Sequence, residues 1–180
     1  MIFFRYTLLP FILLGCLLGI TGRAHAQQEN ANTKIVVVRP LTLVKDEDLD
    51  FGLILPGNTQ GFVILNPDGS ITTTGGVVAV AGDPQAATFY GYGRYRQYLR
   101  LRISANRYFL RRQGGSETMR LDDIVIGSTP PTELTTNPRL FYIGSPDGFF
   151  GFSLGGRLRV GANQAVGVYV GEFDVLIEYL

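Results

Sequence analysis

Apolar and polar residues alternate with a period of two along most of this chain, in short runs cut by glycine and proline. The closing stretch, VGANQAVGVYVGEFDVLIEYL over residues 160–180, shows it most clearly. Tyr169, Phe173, Val175, Ile177 and Tyr179 share one phase with Gly171. Glu172, Asp174 and Glu178 take the other with Val168, Val170 and Leu176. A strand with one buried face produces that pattern. The glycines and the GANQ turn before it predict a hairpin. Similar runs recur upstream: KIVVV, LDFGLIL, GFVILN, SITTT, VVAVAG, ATFYGY, YLRLRI, DDIVIG, LFYIG and GFSLGGRLRV. No long stretch carries a helical period. Many short strands with Gly/Pro turns predict an all-β sandwich or barrel. One domain over residues 34–180 is expected, preceded by a polar, flexible extension, QQENANT, at 27–33.

The N-terminus departs from this pattern. Arg5 precedes a hydrophobic run over residues 8–20, and GRAHA follows. The small residues Ala24 and Ala26 suit a secretory signal peptidase, which predicts a leader at 1–26 and a mature start at Gln27. The run is short for a membrane span, which needs about 20 apolar residues, so no transmembrane segment is expected in the mature chain. A second reading stays open: LLGC, residues 13–16, is lipobox-like and would make Cys16 a lipidated first residue. With the leader removed, Arg5 and Arg23 go with it, leaving fourteen basic against fifteen acidic residues. That balance gives no reason to expect a nucleic-acid partner. Cys16 is the chain's one cysteine, so the mature chain has neither a disulfide nor a cysteine ligand.

Catalytic chemistry finds little to work with. The single histidine, His25, falls in the leader, which excludes a Ser-His-Asp triad and histidine metal sites. GGSETMR and TTTGG lack the spacing and lysine of a phosphate loop. NPDGS and SPDG place Pro and Asp-Gly for tight turns. KDEDLDFG, residues 45–52, is acidic and reads as a solvated turn ahead of an apolar strand. No enzyme activity, metal or cofactor is expected. A basic counterpart spans residues 94–112: Arg94, Arg96, Arg100, Arg102, Arg107, Arg111 and Arg112, interleaved with tyrosines and without an acid. Arginine with aromatics can take a polyanion, a glycan or lipid headgroups. The same spacing also fits the wet face of a strand.

Three segments in order, RPLTLVKDEDLDFGLILPG, NPDGSITTTGGVVAV and GGRLRVGANQAVGVYVGEFDVLIEY, resemble a bacterial family of exported β-rich domains of uncharacterised function (domain family 4402). The resemblance spans residues 38–179 and brings no catalytic residues with it. The closing pattern is also similar to spore-coat-U-like and chaperone–usher pilin domains, which build immunoglobulin-like surface subunits. That likeness implies an immunoglobulin-like or pilin-like sandwich of short antiparallel strands. Its marks are an aromatic penultimate residue, here Tyr179, and a glycine fourteenth from the end, here Gly167. The paired cysteines frequent in those subunits are missing.

The implied function is a structural subunit of a surface fibre assembled by β-strand addition. A periplasmic chaperone and an outer-membrane usher are the implied partners on the way to a homopolymer at the surface of a Gram-negative cell. Gly167, Tyr169, Phe173, Val175, Ile177 and Tyr179 are the assembly candidates. Ile35, Val36, Val37 and Val38 are the donor-strand candidates, or else the domain's own first strand. The alternative function is an exported adhesive module that binds glycan or an anionic envelope surface through the arginine cluster.

Overall fold

The computed structural model describes residues 40–180. The predicted leader, the extension at 27–33 and the candidates Ile35, Val36, Val37 and Val38 lie outside the described residues. The rest is built from strands: β1 (Thr42–Glu47), β2 (Leu53–Leu65), β3 (Ile71–Ala81), β4 (Ala87–Tyr92), β5 (Tyr98–Ile103), β6 (Arg107–Arg112), β7 (Thr118–Ile126), β8 (Thr132–Glu133), β9 (Arg139–Tyr142), β10 (Phe149–Val160), β11 (Tyr169–Val170) and β12 (Val175–Tyr179). All pairings are antiparallel, and the sheets curl into a sandwich-like arrangement. The all-β expectation therefore holds.

β10 organises the larger sheet. Leu154 pairs with Ala87 of β4 and with Ile126 of β7, so these two strands lie on opposite edges of β10. Leu158 likewise faces Val63 of β2 and Leu121 of β7. β4 and β2 thus follow one another along the same edge, and β7 runs along the other. β1 extends the sheet beyond β4, β3 beyond β2, and β6 then β11 beyond β7. The smaller sheet has the order β12-β5-β9.

The core is where alternating positions of both sheets meet. Val63, Leu65, Leu121, Ile124, Ile126, Leu154, Leu158 and Val160 of the larger sheet lie with Leu101 and Ile103 of the smaller. Each of these side chains is at most 4% exposed, and a fully buried one contributes about 1.5–3 kcal/mol.

Three expectations need correction. The closing stretch does not form a hairpin with β10, because β2 and β7 already fill both edges of its second half. LDFGLIL and GFVILN are not separate strands: Leu53 onward and Gly61 onward belong to the one strand β2, and SITTT and VVAVAG merge in β3. A bulge between Pro56 and Gly61 explains the apparent break. The first three residues of the acidic stretch are also no turn, since Lys45, Asp46 and Glu47 continue β1, where Lys45 and Glu47 pair with β4 across an irregularity at Asp46. The two predicted turns do form. Gly69 N–H donates to Asn66 O at 2.9 Å between β2 and β3, and Gly148 N–H donates to Ser145 O at 2.9 Å before β10.

Candidate functional site

The closing residues keep the predicted phase. Tyr169, Phe173, Val175, Ile177 and Tyr179 are half-buried, and the residues between them are exposed. They serve two sheets, however. β11 pairs with β6 of the larger sheet, residues 171–174 cross over, and β12 pairs with β5 of the smaller. Phe173 packs edge-on against Tyr108 at the crossing, with centroids 6.0 Å apart. The penultimate Tyr179 anchors the end: its hydroxyl accepts the Arg94 backbone N–H at 2.8 Å.

The ladder of β12 fixes which way its backbone faces. Ser104 N–H donates to Asp174 O at 3.4 Å and Leu180 N–H donates to Tyr98 O at 3.1 Å. Because antiparallel bonds alternate, the even-numbered residues face β5. The N–H and C=O of Val175 and Ile177 point the other way, toward an edge that no described strand pairs. Behind that strand, a cleft of about 180 Å³ opens between the sheets, lined by Leu99, Leu101, Phe141, Phe150, Phe152 and Ile177 among others.

Gly167 sits against a side chain. A Cβ there would stand 2.8 Å from Arg112 Cδ, and its φ is 153°. Arg112 in turn grips Glu117 through Nε at 2.7 Å and Nη2 at 3.1 Å, and donates from Nη1 to Val166 O at 3.4 Å. The hydrogen bonds from Arg112 hold the Glu117 carboxyl down at about 2. Tyr169 closes the same loop. Its hydroxyl donates to Ala165 O at 2.7 Å and accepts from Gln164 Nε2 at 2.8 Å.

The arginines of 94–112 do not gather into one patch. Arg94 and Arg96 lie in the connection between β4 and β5, with Arg96 over the Tyr95 ring at 5.0 Å. Arg100 and Arg102 lie on β5, and Arg100 is 3.7 Å from Glu178. Arg107 and Arg111 fall on the outer face of β6, whereas Arg112 turns inward. The sheet brings other residues to Arg107 instead. Register sets Phe62, Arg159, Arg120 and Phe109 in one row, and Ile64, Arg157, Asp122 and Arg107 in the next.

Asp122, only 5% exposed, accepts from Arg157 Nε at 3.1 Å and pairs with Arg120 Nε at 2.7 Å. Asp123 takes Arg157 Nη2 at 2.7 Å. Phe109 stands 62% exposed beside this face. Arg120, Arg157 and Arg159 were not among the predicted residues. The local signal for Arg157 and Arg159 is the alternation in GRLRV, Arg120 lies in TMRLDD, and the neighbours the sheet gives them are distant in sequence. Among the described residues no group of three His, Cys, Asp or Glu side chains is placed to hold a metal. No helix among them is long and apolar enough to cross a membrane.

Fold and surface together define an antiparallel β-sandwich-like domain whose notable features are sheet edges and faces. The chain belongs to the family described as Domain of unknown function (DUF4402), whose profile matches residues 41–179. A search of curated proteins gave no match.

The geometry explains several of the residues that carry the family likeness. Gly57 of the PG pair lies so close to Gly76 of TTGG that a Cβ would stand 2.2 Å from the Gly76 oxygen. Gly57 O also accepts the N–H of Asn163 from GANQ at 2.8 Å. Three separated motifs thus meet at the β2–β3 bulge, where they serve folding.

Proposed function

We propose that this chain is an exported, non-catalytic structural subunit of a bacterial surface fibre, joined to its neighbours by β-strand addition. One observation carries the reading: the final strand β12 lies at a sheet edge, with the backbone groups of Val175 and Ile177 directed outward. Such an edge is a template for another strand. The apolar cleft behind it supports the reading further, because protein interiors are otherwise close-packed. Ile35, Val36, Val37 and Val38 supply the apolar donor from the next subunit. Pro40 marks the end of its usable ladder, since proline has no N–H to give. A periplasmic chaperone strand holds the edge before the usher passes the subunit on.

The test is gel electrophoresis of mature protein from its native envelope, with and without boiling. A ladder that collapses on heating, and that disappears when residues 34–38 are deleted, is the expected result. A monomer in both lanes would contradict it.

A second reading has its own observation, the row of Phe62, Arg159, Arg120 and Phe109 on the outer face of the larger sheet. In it the domain is an adhesive module for anionic polysaccharide. Retention on immobilised heparin that is lost in an Arg107→Gln/Arg111→Gln/Arg159→Gln variant supports this reading, and unchanged retention removes it.

A further inference from the structure

We propose that the groove between the outer face of β4–β10 and the β2–β3 turn is a binding site for a neutral carbohydrate chain. The register of β4 against β10 sets Tyr92 opposite Phe149, Tyr90 opposite Gly151 and Thr88 opposite Ser153, all on the outer face. Their neighbours Ala87, Phe89 and Leu154 are buried on the inner face. Gly151 matters here because it has no side chain. A Cβ at that position would lie 2.8 Å from the Tyr90 ring, so the glycine lets the ring lie across the strand and stack on Phe149. Their centroids are 5.6 Å apart with the planes 22° from parallel, and Tyr92 meets Phe149 edge-on at 5.3 Å. The three rings are 38–51% exposed. Neighbouring aromatics commonly bury such surface; here the stack remains an open ledge on a solvent-facing sheet.

Across from the ledge stands the β2–β3 turn. Gly127 closes the floor: its N–H donates to Ser153 O at 2.9 Å, and a Cβ on it would lie 3.1 Å from Pro67 Cβ. Asp68 presents its carboxylate from that turn. Both hydrogen bonds from Ser70, backbone at 2.9 Å and hydroxyl at 2.6 Å, fall on Oδ1. They hold the carboxyl below its ordinary range, so it is an acceptor at neutral pH. The resulting groove has a volume of about 510 Å³, within the ~300–1,000 Å³ usual for ligand sites.

The occupant follows from the chemistry. No basic side chain lines the groove and one ionised carboxylate does, which disfavours phosphate, sulfate or uronate ligands. The hydroxyls of Thr88, Ser153 and Tyr90 with the Asp68 carboxylate supply donors and acceptors for several ligand hydroxyls. The rings lie side by side as a ledge rather than surrounding a point, which suits the flat C–H face of a sugar ring better than a compact cation. This site lies on the same outer face as Arg157 and Arg159 but toward the opposite end of β10, and it does not depend on fibre assembly.

Saturation-transfer NMR and titration calorimetry on the mature protein test it, with cellohexaose, maltohexaose, mannohexaose and chitohexaose as probes and tetramethylammonium as the cationic rival. At least one hexaose is expected to receive saturation. Its affinity should fall at least about tenfold, some 1.4 kcal/mol, in Tyr90→Ala and in Phe149→Ala, and stay unchanged in Phe109→Ala, which lies on β6 beyond β7. Circular dichroism identifies any variant that has lost its fold, and Asp68→Asn provides a milder probe of the same groove. Binding of tetramethylammonium alone, no response to any hexaose at millimolar concentration, or affinity indifferent to Tyr90, Phe149 and Asp68 would each overturn the assignment.

Discussion

Gly167 and Glu117 show how single residues near the closing stretch act through Arg112. Gly167 has a φ of 153° and leaves no room for a Cβ beside Arg112. Gly167→Ala should therefore cost about 1–3 kcal/mol of stability, read by urea denaturation of the purified domain. Unchanged stability with lost multimers would instead mark Gly167 as an assembly residue only. The Arg112–Glu117 pair has a pH signature of its own. The Glu117 carboxyl, normally at 4.5, is held at about 2 in the fold. Its stabilisation is thus fully present above pH ~4.5 and is lost as pH falls through about 2. The melting temperature of Glu117→Gln should lie below that of the parent at neutral pH and converge with it in strong acid. A constant gap across that range would contradict the assigned cause. The phase of Tyr169 to Tyr179 was readable from spacing alone, whereas Gly167 was singled out only by the resemblance of the closing pattern to pilin domains. The Arg112 contact was not, because it joins residues more than fifty positions apart.

At the scale of elements, β10 is the strand on which the larger sheet depends. Leu154 is fully buried between Ala87 and Ile126, so Leu154→Ala should cost about 2–5 kcal/mol. A loss below about 1 kcal/mol by chemical denaturation would mean that the site collapses to refill the space. Sequence reading found β4, β5, β9 and β10 from their alternation, because one face of each meets the core. It missed β6, whose residues Arg107 to Arg112 alternate charge with half-buried Tyr108 and Leu110 and read first as a basic patch. It divided β2 and β3 because the glycines of the bulge look like turn punctuation. Sheet partners were the least legible feature. Nothing local says that β11 joins β6 while β12, a few residues on, joins β5.

For the whole molecule, the central claim is that the open side of β12 receives the 34–38 segment of a neighbouring subunit. The most direct measurement is disulfide trapping, which the sequence favours because Cys16, its one cysteine, lies in the predicted leader. Glu178→Cys on β12 is combined in turn with Ile35→Cys, Val36→Cys, Val37→Cys and Val38→Cys, and each double variant is oxidised in the envelope. At least one pairing should give a covalent ladder on a boiled, non-reducing gel that falls to monomer with reductant, while neither single variant gives more than dimer. A disulfide confined within the monomer would make residues 34–38 the domain's own edge strand and contradict assembly by strand addition.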